Sequence, residues 1–189
     1  MNDKDKTHMA GIPLSNSIES IHRYVAFDVE TTGLSPGNGD RVIEIGAVAI
    51  EEQSIVAEFS SLIDVSKRIP WRVQQVHGIT NKMLEGEPKP DEVLPEFYNF
   101  IAGSILVAHN ASFDIRFLRH EFALLDMSLN NRSLCTLKMS RKQYPYLPNH
   151  KLETVSRHLL GESCEQMQMH RALDDAKLAG MIWLEMGKR

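Results

Sequence analysis

Tyr24-Val25-Ala26-Phe27-Asp28-Val29-Glu30, closed by Thr31-Thr32-Gly33 and the turn-rich Ser35-Pro36-Gly37-Asn38-Gly39, is a short apolar run with two acids set into it. Aromatic and β-branched residues suit a half-buried pleated surface, and the glycine and proline cluster ends it, so the stretch predicts a strand feeding a hairpin. Val42 to Ile50 and Ile55 to Ile63 repeat that character on either side of the polar Glu51-Glu52-Gln53-Ser54, which predicts three strands in a meander. After Pro70 the pattern turns helical. Leu94, Phe97, Tyr98 and Ile101 fall at helical spacing, so a core helix is expected over Asp91–Ile101, with Pro95 tolerable only in its first turn. Ile105-Leu106-Val107-Ala108 is too short for a helix and reads as a buried strand, followed by a helix from Ser112 to Leu125 that repeats Phe113, Phe117, Leu118 and Leu124 on one face. Ser133 to Thr136 is the last strand expected, and helices are expected over Lys151–Leu160 and Ala172–Met186. The fold class is therefore α/β: a mixed sheet, beginning with an antiparallel meander and continuing in strand–helix steps, with helices on its faces.

The 189 residues, 42% hydrophobic and 24% charged, have the composition of an ordinary globular domain. Residues 1–20 lack sustained periodicity and carry Gly11, Pro13 and several serines and asparagines, which predicts a mobile lead-in before a single domain over 21–189. Cys135 and Cys164 have no CxxC or Cys/His spacing, so neither a zinc site nor a disulfide framework is expected. The polar start MNDKDKTH is unlike a signal peptide and no run approaches membrane-spanning length; a cytoplasmic protein with no membrane partner is expected. A net charge of −4 argues against a broad basic nucleic-acid surface. Bound divalent cations would offset it at a local site.

Asp28 and Glu30 are two apart on the predicted strand, so both carboxylates leave one face of an apolar segment. Their mutual repulsion in a half-buried place is relieved by a cation or a shared proton; the plainer reading is a pair of acids at a strand end. In His109-Asn110-Ala111-Ser112-Phe113-Asp114 a third acid sits in the first turn of a helix, where it also serves the helix dipole, and Asn110 suits a helix cap. His170-Arg171-Ala172-Leu173-Asp174-Asp175 supplies a histidine and further acids. On one helix His170 and Asp175 would stand about 140° apart, so their convergence requires His170 in the preceding loop. An imidazole titrates near neutrality and suits general-base work, although a lone histidine before a helix is more often plain surface.

Taken with Phe27-Asp28-Val29-Glu30-Thr31-Thr32-Gly33-Leu34 and Val76-His77-Gly78-Ile79-Thr80, these segments occur in the order and separation of the motifs of DEDDh 3′→5′ exonucleases. The chain resembles that family from about Tyr24 to Met186, and most of all its proofreading members, the epsilon subunits of bacterial DNA polymerase III. The resemblance implies a ribonuclease H-like fold and two Mg²⁺ or Mn²⁺ ions held by Asp28, Glu30, Asp114 and Asp175, with His170 as general base. It further implies contacts from Thr31, Gly33, Leu34, His77 and Asn110 to the terminal nucleotide. The substrate would be a single-stranded 3′ end, DNA favoured, and the product a nucleoside 5′-monophosphate. Two cations about 3.5–4 Å apart activate a water on one side and stabilise the leaving oxygen on the other. Arg72 departs from the pattern, where an acid is expected. Glu44, within the second strand, is expected to make structural hydrogen bonds and not to bind metal.

Lys138, Arg141, Lys142 and Lys151 flank Tyr144-Pro145-Tyr146-Leu147-Pro148, a stretch that suits tracking a single strand or, equally, a solvated loop. A ribonuclease of the same family is the alternative enzyme, separable only through contacts to the 2′-hydroxyl. A non-catalytic module binding a polymerase is the alternative of another class. A polymerase is in either case a candidate partner. The helix bearing Asp175 lies close to Arg189, which leads us to expect a free-standing nuclease or one recruited through its surface.

Overall fold

The computed structural model describes residues 23–161 and 170–188; the expected lead-in over residues 1–20 and Cys164 lie outside the described residues. The chain opens with β1 (Tyr24–Thr31), β2 (Val42–Glu51) and β3 (Ser54–Leu62), then α1 (Trp71–His77), α2 (Asn81–Leu84) and α3 (Pro90–Phe100). β4 (Ile105–Ala108), α4 (Ser112–Ala123), β5 (Ser133–Cys135), α5 (Thr136–Gln143), α6 (Leu152–Leu160) and α7 (Ala172–Gly187) complete it. The sheet runs β3-β2-β1-β4-β5, with β1, β2 and β3 antiparallel and β4 and β5 parallel to β1. This is the expected mixed α/β sheet.

Alternation along β1 divides the core in two. Val25, Phe27 and Val29 face one cluster with Phe97 of α3 and Phe117, Leu118 and Phe122 of α4. Ala26 and Tyr24 leave the other face and pack with Val48, Ile50 and Val107 against Leu173, Trp183 and Leu184 of α7. With both faces covered, β2 is buried from Val42 to Ile50 without a break, which is why its sequence reads as one apolar run and not as an alternation.

The structure departs from expectation in three places. Pro95 is the sixth residue of α3, not part of its first turn. The carbonyl of Asp91 loses its helical donor there, and because Asp91 is exposed, water is within reach of it. Thr136–Gln143 forms α5, a helix that its polar sequence does not announce. Tyr144 is 2% exposed, packed with Val155, Ile182 and Met186, so of the two tyrosines only Tyr146, 69% exposed, offers a ring to solvent.

Candidate active site

Asp28 and Glu30 share the β1 face of Tyr24 and Ala26, the one roofed by α7. β4 accompanies β1 only as far as Ala26 and ends at Ala108, so both acids project beyond the parallel pair. Parallel strands whose chains depart in different directions leave a crevice at their carboxyl ends, the usual ligand position in α/β sheets. The chain leaving β4 turns through His109 and Asn110, the latter at φ 71°, a left-handed conformation that asparagine tolerates. It then enters α4 and delivers Asp114 as the third residue of that helix, 3% exposed.

Asp175 arrives from α7, and β2 determines where. In the antiparallel register Glu44 stands opposite Glu30 and Gly46 opposite Asp28. A Cβ on Gly46 would overlap the backbone of Ala172 and Leu173, so the missing side chain is what lets the first turn of α7 lie against the strand. Glu44, 1% exposed, fastens that turn: its Oε1 accepts from Arg171 Nε at 3.0 Å and Nη2 at 2.7 Å, and its Oε2 accepts from the Ala172 amide at 3.1 Å. The last of these satisfies one of the free amides at a helix start. Glu44 therefore has the hydrogen-bonding role expected of it. Asp175, 7% exposed, is held in turn by the His170 amide, which donates to its Oδ2 at 3.1 Å. His170 is exposed in the turn ahead of α7 at φ 66°, the loop position that convergence with Asp175 requires.

One carboxylate oxygen from each of Asp28, Glu30 and Asp175 lies within 4.8 Å of the other two. Asp114 stands outside that triad yet acts on the charge of Asp28. Burial, and after it Asp114, Asp175, Glu30 and Glu44, raise Asp28 well above the usual carboxylate range. Burial and the neighbouring acids push Glu30 up to about 8, against the pull of Arg171. Burial likewise raises Asp114 to about 7, although its own amide and that of Val29 lower it, and raises Asp175 to about 6 against the His170 amide. Acids in this arrangement do not all ionise near neutrality without a cation, and hard divalent cations prefer oxygen donors. Asp175 Oδ1 is buried with no hydrogen-bond partner among the described residues, an unfilled acceptor beside two other carboxylates. The donor set fits a divalent metal.

The residues expected at the terminal nucleotide divide by exposure. Leu34 is 79% exposed, and Asn110 is exposed, its Oδ1 accepting from the Ser112 hydroxyl at 3.4 Å. Thr31 is buried, and its hydroxyl donates to the Gly33 carbonyl at 2.6 Å. A Cβ on Gly33 would meet the Asp40 carboxylate, which would have to move aside, so the turn as folded favours glycine. His77 is 4% exposed; its Nδ1 accepts from the Ile79 amide at 3.0 Å, which leaves the proton on Nε2. Nε2 has no partner in hydrogen-bond geometry among the described residues, and the Thr31 backbone works against the lowering of the ring's pKa. Burial lowers the His77 pKa.

Sequence reasoning missed the supports. Glu121, 2% exposed, accepts from Arg41 Nε and Nη2, both at 2.8 Å, and from the Val42 amide at 3.0 Å. The Thr32 amide donates to the Arg41 carbonyl at 2.9 Å and the Arg41 amide to the Thr32 hydroxyl at 3.0 Å, so α4 holds the turn that follows Glu30. Gly46 was detectable, since an isolated glycine inside a strand marks a bulge or a close backbone approach. Away from the acids, Arg116, Arg119 and Lys138 open onto a hollow of about 560 Å³ that has no carboxylate in its lining.

Residues 25–182 match the family model described as exonuclease. The chain is 37% identical over 171 residues to the DNA polymerase III epsilon subunit of Treponema pallidum (strain Nichols), covering 88% of this chain and 79% of that protein. It is 43% identical over 159 residues to the PolC-type DNA polymerase III of Clostridium perfringens (strain 13 / Type A), covering 84% of this chain but only 11% of that much longer protein. Among solved structures, exonuclease X in complex with 5′-overhanging duplex DNA superimposes with a TM-score of 0.68 at 25% identity, over 89% of this chain and 92% of that one. The sheet order and helix placement are thus ribonuclease H-like, and the chain belongs to the exonuclease family as a member of its DEDDh branch.

Proposed function

We propose that the protein is a 3′→5′ exonuclease that removes nucleotides from single-stranded DNA ends as nucleoside 5′-monophosphates. The observation that carries this reading is the convergence of Asp28, Glu30 and Asp175 within 4.8 Å, with a partnerless buried oxygen on Asp175. Asp28, Glu30, Asp114 and Asp175 would hold two ions, Mg²⁺ or Mn²⁺. Such ions, when bound, supply an activated water and stabilise charge on the phosphate and the leaving oxygen.

The chain's own residues do the rest. His170, outside α7 yet tied to Asp175 through its amide, receives the proton of the attacking water. The bond between phosphorus and the 3′ oxygen breaks, and the shortened strand leaves with a new 3′-hydroxyl. Leu34 lies open enough to wedge against a base, and Asn110 offers an amide to the last nucleotide. His77 presents an Nε2–H donor, while Thr31 and Gly33 shape the turn that receives the sugar. Lys138, with Arg116 and Arg119, gives the strand's phosphates a cationic hollow beside α4. DNA is favoured because the epsilon and PolC-type relatives are DNA polymerase III proteins and exonuclease X is seen with DNA. The same kinship makes a polymerase the expected partner. Cys135 as a free thiol fits a reducing, cytoplasmic setting, and no described helix is long and apolar enough to cross a membrane.

Matched 5′-labelled single strands of DNA and RNA, incubated with Mg²⁺, Mn²⁺ or EDTA, test the proposal. A ladder shortening from the 3′ end, dependent on metal and faster on DNA, is expected. A preference for RNA would replace the substrate, and no cleavage of either strand would leave a binding module.

A further inference from the structure

The acids of the site present a difficulty for any phosphate that approaches them. Arg171 is committed to Glu44. The cleft of about 430 Å³ that contains Asp28, Asp175 and His170 is also lined by His109, Lys151 and Glu153. Of these, Glu153 accepts from Arg157 at 2.9 Å, whereas the Lys151 ammonium makes no ion pair among the described residues. It is the lysine of the cleft, separated by fold from Lys138, which faces the hollow beside α4.

Lys151 is also held in place. Its amide donates to Asn149 Oδ1 at 3.0 Å, and its carbonyl accepts the Val155 amide at 3.0 Å, opening α6. The residue before it is fixed from the other side: the His150 carbonyl faces His109 Nε2 at 2.8 Å, and His150 Nδ1 meets Ser140 Oγ at 3.0 Å. A ring nitrogen facing a carbonyl must carry the proton, so His109 donates from Nε2 and accepts at Nδ1 from the Thr136 hydroxyl at 2.9 Å. His109 follows β4 and belongs to the turn that delivers Asp114. One partly buried imidazole therefore connects the turn that delivers an acid to the loop bearing a lysine.

Building on the function proposed above, we propose that Lys151 is a phosphate-binding residue, its ammonium contacting the phosphate of the nucleotide in the acid cleft, and that His109 is the positioning residue that fixes its backbone there. The ligand class is a 5′-phosphorylated nucleotide, whether reacting or released.

Binding of thymidine 5′-monophosphate in Mn²⁺ tests this without turnover, with thymidine as the phosphate-free control. Lys151→Ala is expected to weaken the monophosphate about tenfold, the scale of one charge-assisted hydrogen bond, and to leave thymidine unchanged. Lys151→Arg is expected to restore most of the loss. Equal affinity of wild type and Lys151→Ala, or no monophosphate binding by the wild type, would overturn the assignment. His109→Ala should weaken the monophosphate in the wild-type background and add nothing in Lys151→Ala, whereas additive losses would make His109 merely structural. Strand cleavage by the wild type is followed alongside: its absence would count against the exonuclease, while the binding comparison still judges Lys151.

Discussion

Asp28 is surrounded by Asp114, Asp175, Glu30 and Glu44, and that crowding separates its chemical role from its structural one. Asp28→Ala removes a proposed metal ligand and relieves repulsion at once. Turnover should fall to background while cooperative unfolding persists at an equal or higher midpoint without metal; single-turnover cleavage and thermal unfolding check the two halves. His170→Ala acts chiefly on the proton. It should slow the chemical step roughly 10²- to 10⁴-fold and largely spare metal titrations, since alanine keeps the backbone amide that holds Asp175 and removes only the imidazole's smaller electrostatic pull on it. The acids and the histidine were legible in the sequence because each sits in a short local motif. The crowding at Gly33 was not: the Asp40 carboxylate that a Cβ there would displace comes from the far side of the turn. Tyr144 looked like a stacking ring only because its burial against α6 and α7 depends on contacts that a single sequence does not display.

At the scale of elements, the site is the docking of α7 on β2. The helix itself was legible from its periodicity, as were the meander and the β4–α4 step, but the contact that aims it joins Arg171 to Glu44 across 127 residues of sequence. α5 escaped for a different reason. Thr136 and Ser140 are buried as hydrogen-bonding groups toward His109 and His150, so a polar face does the packing that hydrophobic periodicity looks for. Gly46→Ala tests the docking directly. The methyl would meet the Ala172–Leu173 backbone, which has no rotamer to escape into. The cost in stability should be about 1–3 kcal/mol, the range for overpacking. The rate should fall about 10²-fold, because a shift near 1 Å of a catalytic group costs that much. Unfolding midpoints and kcat measured together decide it, and a normal rate would mean that Asp175 and His170 are not aimed by this contact.

Over the whole molecule the buried acids make stability depend on pH and metal jointly. Their pKa values are raised on folding, so the native state keeps protons that the unfolded chain has lost. That contribution is complete below the unfolded carboxylate range and disappears as pH rises through the folded values, about 6 for Asp175, 7 for Asp114 and 8 for Glu30. His77 and His109 have the opposite sign, because burial lowers both: their stabilisation is present above the ordinary imidazole range and is lost as pH falls. The two effects oppose one another near pH 5–6.5. Of the groups shifted by folding among the described residues, only the acids still titrate between about pH 7 and 8.5, and Asp40 and Asp64, whose values are lowered, are long since ionised. The midpoint of unfolding in EDTA should therefore fall across that interval, by about 5 °C or more if the loss reaches about 2 kcal/mol for a chain of this size. Mn²⁺ held by the ionised acids would stabilise the native state by mass action, so its effect should grow with pH and cancel the decline. Asp28→Asn, with one charge fewer in the cluster, should show a shallower decline in EDTA and a smaller rise with Mn²⁺. A flat profile in EDTA from pH 7 to 8.5 would mean that the cluster is already neutralised from within, and the case for a cation at Asp28, Glu30 and Asp175 would fall with it.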